Sequence, residues 1–130
     1  MSKEKYNLEL LFKALADGTR LRLINLLGDS EVCVCFLVEI LKISQPKISR
    51  HLAYMRRARI VAARREGKWM HYRLVEPPDE HAARIFRESR SSLAEHPEFQ
   101  RDREKLEKVC CATQLPVSLR RAPRPLDLAA

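Results

Sequence analysis

Apolar residues recur at helical spacing along the first part of the chain. Three helical segments follow one another. Their apolar residues are Leu8, Leu11, Phe12 and Leu15 in the first, Leu21, Ile24 and Leu27, which are expected to face inward, in the second, and Leu37, Ile40 and Leu41 in the third. This spacing predicts helices over residues 6–16 and 18–27 and a third helix that follows residue 35. Asp17 is a suitable N-cap for the second helix and Gly28 a suitable end. The β-branched, alternating residues 31–35 predict a short extended segment ahead of the third helix.

Residues 43–60 predict a fourth helix with one apolar and one basic face. Ile48, Leu52 and Met55 fall at helical spacing and are expected to pack inward. Ser44 is the expected N-cap, its hydroxyl accepting from a first-turn amide, and Pro46 lies where its missing N–H costs nothing. The other face is rich in hydrogen-bond donors, namely Gln45, Lys47, Ser49, Arg50, His51, Tyr54 and Arg57. Such a face fits a DNA major groove, although an ordinary solvated basic face has the same pattern.

The period of the apolar residues shortens to about two after residue 60. Residues 60–74 therefore predict two strands joined at Gly67. Arg64, Arg65 and Lys68 cluster at the tip of this hairpin, where they would reach phosphate or the minor groove if the hairpin is not simply solvated. A basic helix followed by a basic hairpin indicates a winged helix-turn-helix. The predicted fold class is mainly α with a small β-hairpin.

The remainder of the chain predicts two more helices and a tail. A helix that starts near Asp79 carries a stripe of apolar and small residues, Ala82, Ile85, Phe86, Ser89 and Leu93, which we expect to form a dimer seam. Residues 98–111 predict a charged and weakly specified helix. The predicted organisation is a DNA-binding and dimerisation domain over residues 1–96, a helical extension with a cysteine pair over 97–112 and a disordered tail over 113–130.

Composition narrows the classes of partner and compartment. The 130 residues suit one domain, and 25 Lys and Arg against 17 Asp and Glu give a net charge of +8. This charge favours nucleic acid over a membrane as the partner. No apolar run approaches the roughly 18 residues of a membrane span, and the N-terminus has no signal-peptide pattern, so a cytoplasmic location is expected. Four cysteines in such a chain favour metal binding or redox sensing over structural disulfides.

Three segments resemble the ArsR/SmtB family of metal-sensing winged-helix repressors, in particular its arsenic-responsive members. Residues 12–23, FKALADGTRLRL, are similar to the family's first helix junction, with Gly18 where proline is usual. Residues 44–52, SQPKISRHL, resemble its recognition helix, and residues 65–74, REGKWMHYRL, resemble its wing. The resemblance covers about residues 8–74. It implies a homodimer without a permanent cofactor that sits on operator double-stranded DNA and leaves when an effector binds.

The effector chemistry rests on cysteine. Residues 31–35, EVCVC, resemble the segment in which arsenic-type and cadmium-type repressors capture the ion with closely spaced thiolates. Soft thiolates select thiophilic cations, so the implied effector is trivalent arsenic or antimony. Cys33 and Cys35 point the same way in an extended segment but not on a helix, so binding is expected to require or cause unwinding at the start of the third helix.

Val38 stands where the arsenic motif has its third cysteine, so this segment supplies only two sulfurs. Either Cys110 or Cys111, from the same or the partner subunit, completes a three-sulfur site, or that vicinal pair forms a two-sulfur site suited to methylarsenite. A cadmium- or zinc-type sensor is a further alternative, and buried cysteine can also be an inert small hydrophobe.

Other site types fit the residues less well. One branch of the family holds zinc through Asp, His, His and Glu, and this chain has Asp79, His81 and Glu95 at those spacings but Ser92 in place of the second His. A closed tetrahedral zinc site is therefore not expected. A thiol redox enzyme would need a base or cofactor, and neither a Cys-x-x-Cys motif nor a glycine-rich phosphate loop is present. We therefore expect no enzyme activity. An architectural DNA binder without an effector remains an alternative.

Overall fold

The structure is a computed structural model that describes residues 5–110, 116–119 and 121–128. Its elements in chain order are α1 (Leu8–Leu15), α2 (Gly18–Leu27), β1 (Ser30–Cys33), α3 (Val34–Leu41), α4 (Gln45–Arg57), β2 (Val61–Glu66), β3 (Trp69–Leu74), α5 (Glu80–Ala94), α6 (Pro97–Cys110), a 3-10 turn (Val117–Leu119) and β4 (Leu126–Asp127). None of the helices in these ranges is long and apolar enough to cross a membrane. The predicted mainly helical fold with a hairpin after the fourth helix is confirmed.

The helix ends follow local sequence signals with one exception. Asp17 caps α2 by accepting from the Arg20 amide at 3.0 Å, and Gly28 ends it with φ of 47°. Ser44 occupies the N-cap position of α4, but its hydroxyl makes no capping hydrogen bond, so that expectation is wrong. An N-cap oxygen bonds the second or third amide of a helix, and Pro46 removes the amide at the second position.

The sheet joins the wing to the segment that carries Cys33. Its strand order is β2-β3-β1-β4, and every pairing is antiparallel. β2 and β3 form the predicted hairpin, and Gly67 turns with φ of 58°. β1 pairs with β3, with Cys33 opposite His71. The extended segment ends at Cys33, and the first turn of α3 contains Cys35. Only residues 31–33 are therefore extended, and the prediction of an extended segment up to residue 35 is wrong at its end.

The core lies between α2, α3, α4 and α5. Its largest fully buried side chains include Phe36, Phe86, Leu52 and Met55. Helix α1 lies where the spacing of its apolar residues predicts it, but Leu8 and Phe12 are 42% and 49% exposed. The core accepts the adjacent face of α1, which carries Leu11 and Ala14, and both are fully buried.

The stripe on α5 is used within the chain. Ala82, Phe86 and Leu93 are buried, and α5 packs against α2 and α6. The expectation that this stripe forms a dimer seam is therefore wrong for these three residues. Ile85 and Ser89 are half-buried. The apolar stripe of α5 is covered within the same chain because α6 packs against α5 in addition to α2.

Polar contacts hold α6 against α2, so this helix is better specified than its sequence indicated. Arg22 donates from Nε and Nη2 to the buried Asp102 carboxylate at 2.8 and 3.0 Å. The Asn25 side-chain amide donates to the Phe99 carbonyl at 2.8 Å, and Arg103 donates to the Asn25 carbonyl at 2.7 Å. Helix α6 thus belongs to the same packed unit as the first five helices.

Part of the predicted disordered tail also contacts this unit. Leu119 is fully buried and Ala122 nearly so, and β4 pairs with β1 through Ser30 and Asp127. The prediction of a disordered tail does not hold for these described residues, because Leu119 and Ala122 pack against the core and β4 pairs with the edge of β1. Cys111 and the rest of residues 111–115 lie outside the described residues.

Candidate nucleic-acid interface and thiol site

Helix α4 is fixed by one face and presents the other to solvent. Ile48, Leu52 and Met55 are fully buried, as predicted. The residues predicted to meet DNA are brought together on the opposite side. Gln45, Lys47, Arg50 and Arg57 are exposed, and Ser49, His51 and Tyr54 are half-buried. A donor-rich face on a rigidly packed helix has the geometry that reading a major groove requires.

Arg20 from α2 joins this face, a contact that the sequence analysis did not predict. Its guanidinium carbon lies 4.6 Å from the centre of the Tyr54 ring, and Arg57 lies 5.9 Å from it. Arg20 Nη1 is also 3.4 Å from His51 Nδ1. Two guanidinium groups therefore make cation–π contacts with the Tyr54 ring. Arg20 belongs to the helix-junction motif noted in the sequence, but its position on this surface depends on the packing of α2 against α4.

The three basic residues of the wing have different surroundings. Arg65 and Lys68 are exposed at the tip, and Lys68 Nζ lies 5.0 Å from the centre of the Trp69 ring. Arg64 instead donates two hydrogen bonds to Glu31 of β1 and lies 3.7 Å from Glu66. The hydrogen bond from Arg64 holds the pKa of the Glu31 carboxyl below its ordinary value. Arg65 and Lys68 thus present their charges to solvent, whereas Arg64 is engaged within the protein.

Cys33 and Cys35 lie at the junction of β1 and α3. Cys33 is fully buried at the N-cap of α3, and Cys35 is half-buried in its first turn. Burial, together with the neighbouring Cys35, raises the pKa of the Cys33 thiol to about 11. Both thiols are free. Cys33 and Cys35 are close in sequence, but they do not lie on one side of a single strand, because Cys35 is already part of helix α3.

Cys110 lies apart from that junction, at the end of α6. It is half-buried in a groove of about 370 Å³ that Ser30 and Asp127 also line. Among residues 5–110, 116–119 and 121–128, no group of three or more His, Cys, Asp or Glu could hold a metal ion. The described thiols therefore do not form a preassembled three-sulfur site within one chain. Cys111, the other member of the predicted pair, lies outside these residues.

The residues compared with the zinc-binding branch do not converge on a site either. Asp79 caps α5 by accepting from the Ala82 amide at 2.9 Å, as expected. His81, Ser92 and Glu95 are exposed on the surface of α5 or at its end.

Comparisons with known proteins agree with this architecture. Residues 17–63 match the family model described as "Bacterial regulatory protein, arsR family". The chain is 53% identical over 66 residues to the arsenic resistance transcriptional regulator ArsR1 of Pseudomonas putida, covering 50% of this chain and 52% of that protein. It is 50% identical over 80 residues to the arsenical resistance operon repressor of Escherichia coli, covering 61% of this chain and 68% of that protein. The match thus spans about half of the first relative and just over two thirds of the second.

Solved structures give the same result. The chain superposes on the AntR antimony-specific transcriptional repressor with a TM-score of 0.53 at 27% identity, covering 73% of this chain and 89% of that one. It superposes on HlyU from Vibrio cholerae with a TM-score of 0.54 at 31% identity, covering 67% of this chain and 91% of that one. The curated relatives named above are regulators of transcription and not enzymes. This chain, with its winged helix-turn-helix, belongs to the ArsR family of bacterial regulatory proteins.

Proposed function

We propose that this chain is a cytoplasmic transcriptional repressor that releases its operator when trivalent arsenic or antimony binds to its cysteine thiolates. The observation that carries this proposal is the position of Cys33 and Cys35 at the start of α3, the helix that packs on α4. The names of the Pseudomonas, Escherichia and AntR proteins support the same class of effector. No resident cofactor is part of the proposal.

The DNA side of the proposal uses α4 and the wing. The exposed donors of α4 would read base edges, and Arg65 and Lys68 would hold the backbone on the neighbouring groove. Operators of such proteins are read by two copies related by symmetry, so we propose that the chain acts as a homodimer. The exposed Leu8 and Phe12 are available to an interface between two copies, because neither is covered by its own chain.

The sensor side requires a local rearrangement. When three thiols bind As(OH)₃, three As–S bonds form, three As–O bonds break, and each thiol proton leaves with a hydroxyl group as water. Cys33 is buried at the N-cap and Cys35 is in the first turn of α3, so we expect the capture of a shared ion to require or cause unwinding of that turn. Helix α3 leads into α4 through Lys42, which has a left-handed backbone with φ of 55°. Unwinding at one end of α3 would therefore change the support of the reading helix.

The source of a third sulfur distinguishes two versions of the proposal. A second subunit could supply Cys110 or Cys111 to the ion held by Cys33 and Cys35. Alternatively, Cys110 and Cys111 form their own two-sulfur site, which suits methylarsenite because its methyl group occupies the third position. Cys33, Cys35 and Cys110 do not form a three-ligand group within the described part of one chain, which supports versions in which no single chain supplies all three sulfurs. A cadmium- or zinc-type response is the remaining alternative.

Release of DNA by the effector tests the proposal. An operator duplex is titrated with protein under reducing conditions, and arsenite, antimonite, methylarsenite or Cd²⁺ is then added while fluorescence anisotropy is followed. We expect release by arsenite and antimonite, and loss of release in Cys33→Ser/Cys35→Ser. The matched variant Cys110→Ser/Cys111→Ser shows whether the second pair contributes. An intact complex at saturating arsenite would overturn the sensor role, and full response after replacement of both pairs would overturn thiol sensing.

A further inference from the structure

A basic pocket lies beside the reading helix, between the first turn of α2 and the exposed face of α4. Its volume is about 530 Å³, and its polar lining consists of Thr19, Arg20, Lys47, Arg50, His51 and Tyr54. Two of these residues come from α2, which lies outside the helix-turn-helix pair itself. The pocket therefore joins a second element to the surface that faces DNA.

Arg20 is held in the pocket by four contacts, one of which is the 3.4 Å approach of its Nη1 to His51 Nδ1 described above. Its Nε donates to the Ala14 carbonyl at 3.1 Å, its Nη2 donates to the Lys13 carbonyl at 2.7 Å, and its guanidinium lies over the Tyr54 ring. A guanidinium already fixed in this way loses little conformational freedom when an anion binds. Neither carbonyl carries a charge, and the carboxylate that interacts electrostatically with this guanidinium, Asp17, does not line the pocket.

The other cations of the pocket lack anionic partners. Within the described ranges, neither Lys47 nor Arg50 forms an ion pair with a carboxylate. Asp17 reaches only the edge of the pocket, 4.0 Å from His51 Nδ1, and its carboxylate is already engaged with the Arg20 amide. Three permanent positive charges thus surround one concave space without a carboxylate inside it. Such a space favours an anion with several acceptor oxygens.

The first turn of α2 adds a donor to the same space. Thr19 is the second residue of this ten-residue helix, and its hydroxyl lines the pocket near the positive end of the helix dipole. The backbone amides of Thr19 and Arg20 are already bonded to Asp17, so the hydroxyl is the donor that this turn offers. Positive charge and a hydroxyl donor therefore converge on the pocket.

We propose that this pocket binds one backbone phosphate of the DNA, with Arg20 and Thr19 of α2 and Lys47 of α4 as its ligands. The proposal rests on the DNA-binding function proposed above and extends the interface from α4 and the wing to α2. The phosphate fixes the position of α4 along the groove, because it is bound by the two helices at once. Arg20 thus contacts DNA while its guanidinium also lies over the Tyr54 ring.

The salt dependence of binding tests the pocket. The affinity of the full chain for a duplex of random sequence is measured over a series of salt concentrations for the wild type, Arg20→Gln, Lys47→Gln and Thr19→Val. Each lost phosphate contact lowers the slope of log affinity against log salt by about 0.9 on B-form DNA. We expect this reduction for Arg20→Gln and for Lys47→Gln, and a smaller loss of affinity without a change of slope for Thr19→Val. Arg20→Lys, which keeps the charge, should restore the slope.

Arg101→Gln is the matched control, since it removes one exposed positive charge from α6, outside the pocket. Its slope should equal that of the wild type. Thermal unfolding of Arg20→Gln is measured alongside, because Arg20 also joins α1 to α2. A lower melting temperature with an unchanged slope would show a purely structural role and overturn the pocket. Absence of any duplex binding by the wild type would instead overturn the proposed function together with this proposal.

Discussion

Glu31 and Arg64 connect the cysteine-bearing strand to the wing. Glu31 Oε1 accepts from Arg64 Nε at 3.0 Å and from Arg64 Nη2 at 2.6 Å, although the residues are 33 positions apart. Glu31 lies two residues before Cys33 in β1, and its side chain is buried. The wing is therefore attached to the thiol segment by a charged pair as well as by the pairing of β1 with β3.

Replacing Glu31 by Gln should lower stability at neutral pH and reduce its pH dependence. Arg64 holds the pKa of Glu31 below its ordinary value, so this carboxylate stabilises the folded state above the ordinary glutamate pKa of about 4.3. That contribution is lost as the pH falls through the lower pKa of the folded state. Urea unfolding at neutral and acid pH should show a difference between wild type and Glu31→Gln that narrows in acid. An equal difference at both pH values, or the same effect from the exposed Glu104→Gln, would contradict this prediction.

Arg50→Ala should weaken binding to an operator more than binding to random DNA. A side chain that reads a base edge contributes about 1–3 kcal/mol of discrimination, whereas a phosphate contact contributes equally to all sequences. Arg56→Ala is the matched control, because Arg56 is exposed on the same helix but outside the predicted reading face. Anisotropy titrations on both duplexes measure the two losses. Equal losses on operator and random DNA for Arg50→Ala would show that Arg50 does not read sequence.

Two basic residues of the wing should contribute to DNA binding, and a third should stabilise the folded wing. Arg65→Ala and Lys68→Ala should each lower affinity alike for operator and random DNA, with a slope of log affinity against log salt smaller by about 0.9. Arg64 is paired with Glu31, so Arg64→Ala should also lower the midpoint of urea unfolding. A wild-type unfolding midpoint for Arg64→Ala would mean that the pair with Glu31 does not stabilise the fold.

The reaction of Cys33 with an alkylating reagent should depend steeply on pH. Only the thiolate reacts, and the pKa of the Cys33 thiol is raised to about 11, chiefly by burial. The rate should therefore rise about tenfold for each pH unit over the neutral range and remain far below the rate in urea. Site-resolved mass spectrometry after brief exposure to iodoacetamide measures this for each cysteine separately. Rapid alkylation of Cys33 at neutral pH in the folded protein would contradict its burial at the start of α3.

Asp102→Asn should destabilise the protein, since Arg22 loses a charged partner that lies inside the packing of α6 on α2. Loss of one such hydrogen-bonded contact to a buried group costs about 1–3 kcal/mol. Chemical unfolding of Asp102→Asn and of the exposed Glu104→Gln gives the comparison. Equal stability of the two variants would show that the pair of Arg22 with Asp102 is not a determinant of the position of α6.

The order of the helices and the place of the hairpin could be predicted from the sequence because both depend on local periodicity. The spacing of Ile48, Leu52 and Met55 identified the buried face of α4, and Gly67 identified the turn of the wing. These signals lie within one element, and no distant contact is needed to interpret them. The donor-rich face of α4 followed from the same periodicity.

Contacts between distant residues could not be predicted in this way. The partner of Arg64 is Glu31, and that of Arg22 is Asp102, 80 positions away. Arg64 consequently looked like a free cation of the wing, and α6 looked weakly specified. Arg20 is a similar case, because its position over Tyr54 depends on how α2 packs against α4. Charged residues of this kind carry no periodic pattern that indicates a partner.

The single tryptophan of the chain lies at the start of β3 and gives the protein an internal optical reporter. Trp69 is half-buried next to the turn of the hairpin, on the strand that pairs with both β2 and the cysteine-bearing β1. The wavelength of its fluorescence emission maximum depends on the polarity around the indole ring. Unlabelled protein should therefore show one spectral change when the hairpin meets DNA and another when an ion is captured near Cys33, so both events can be timed in the same stopped-flow mixture.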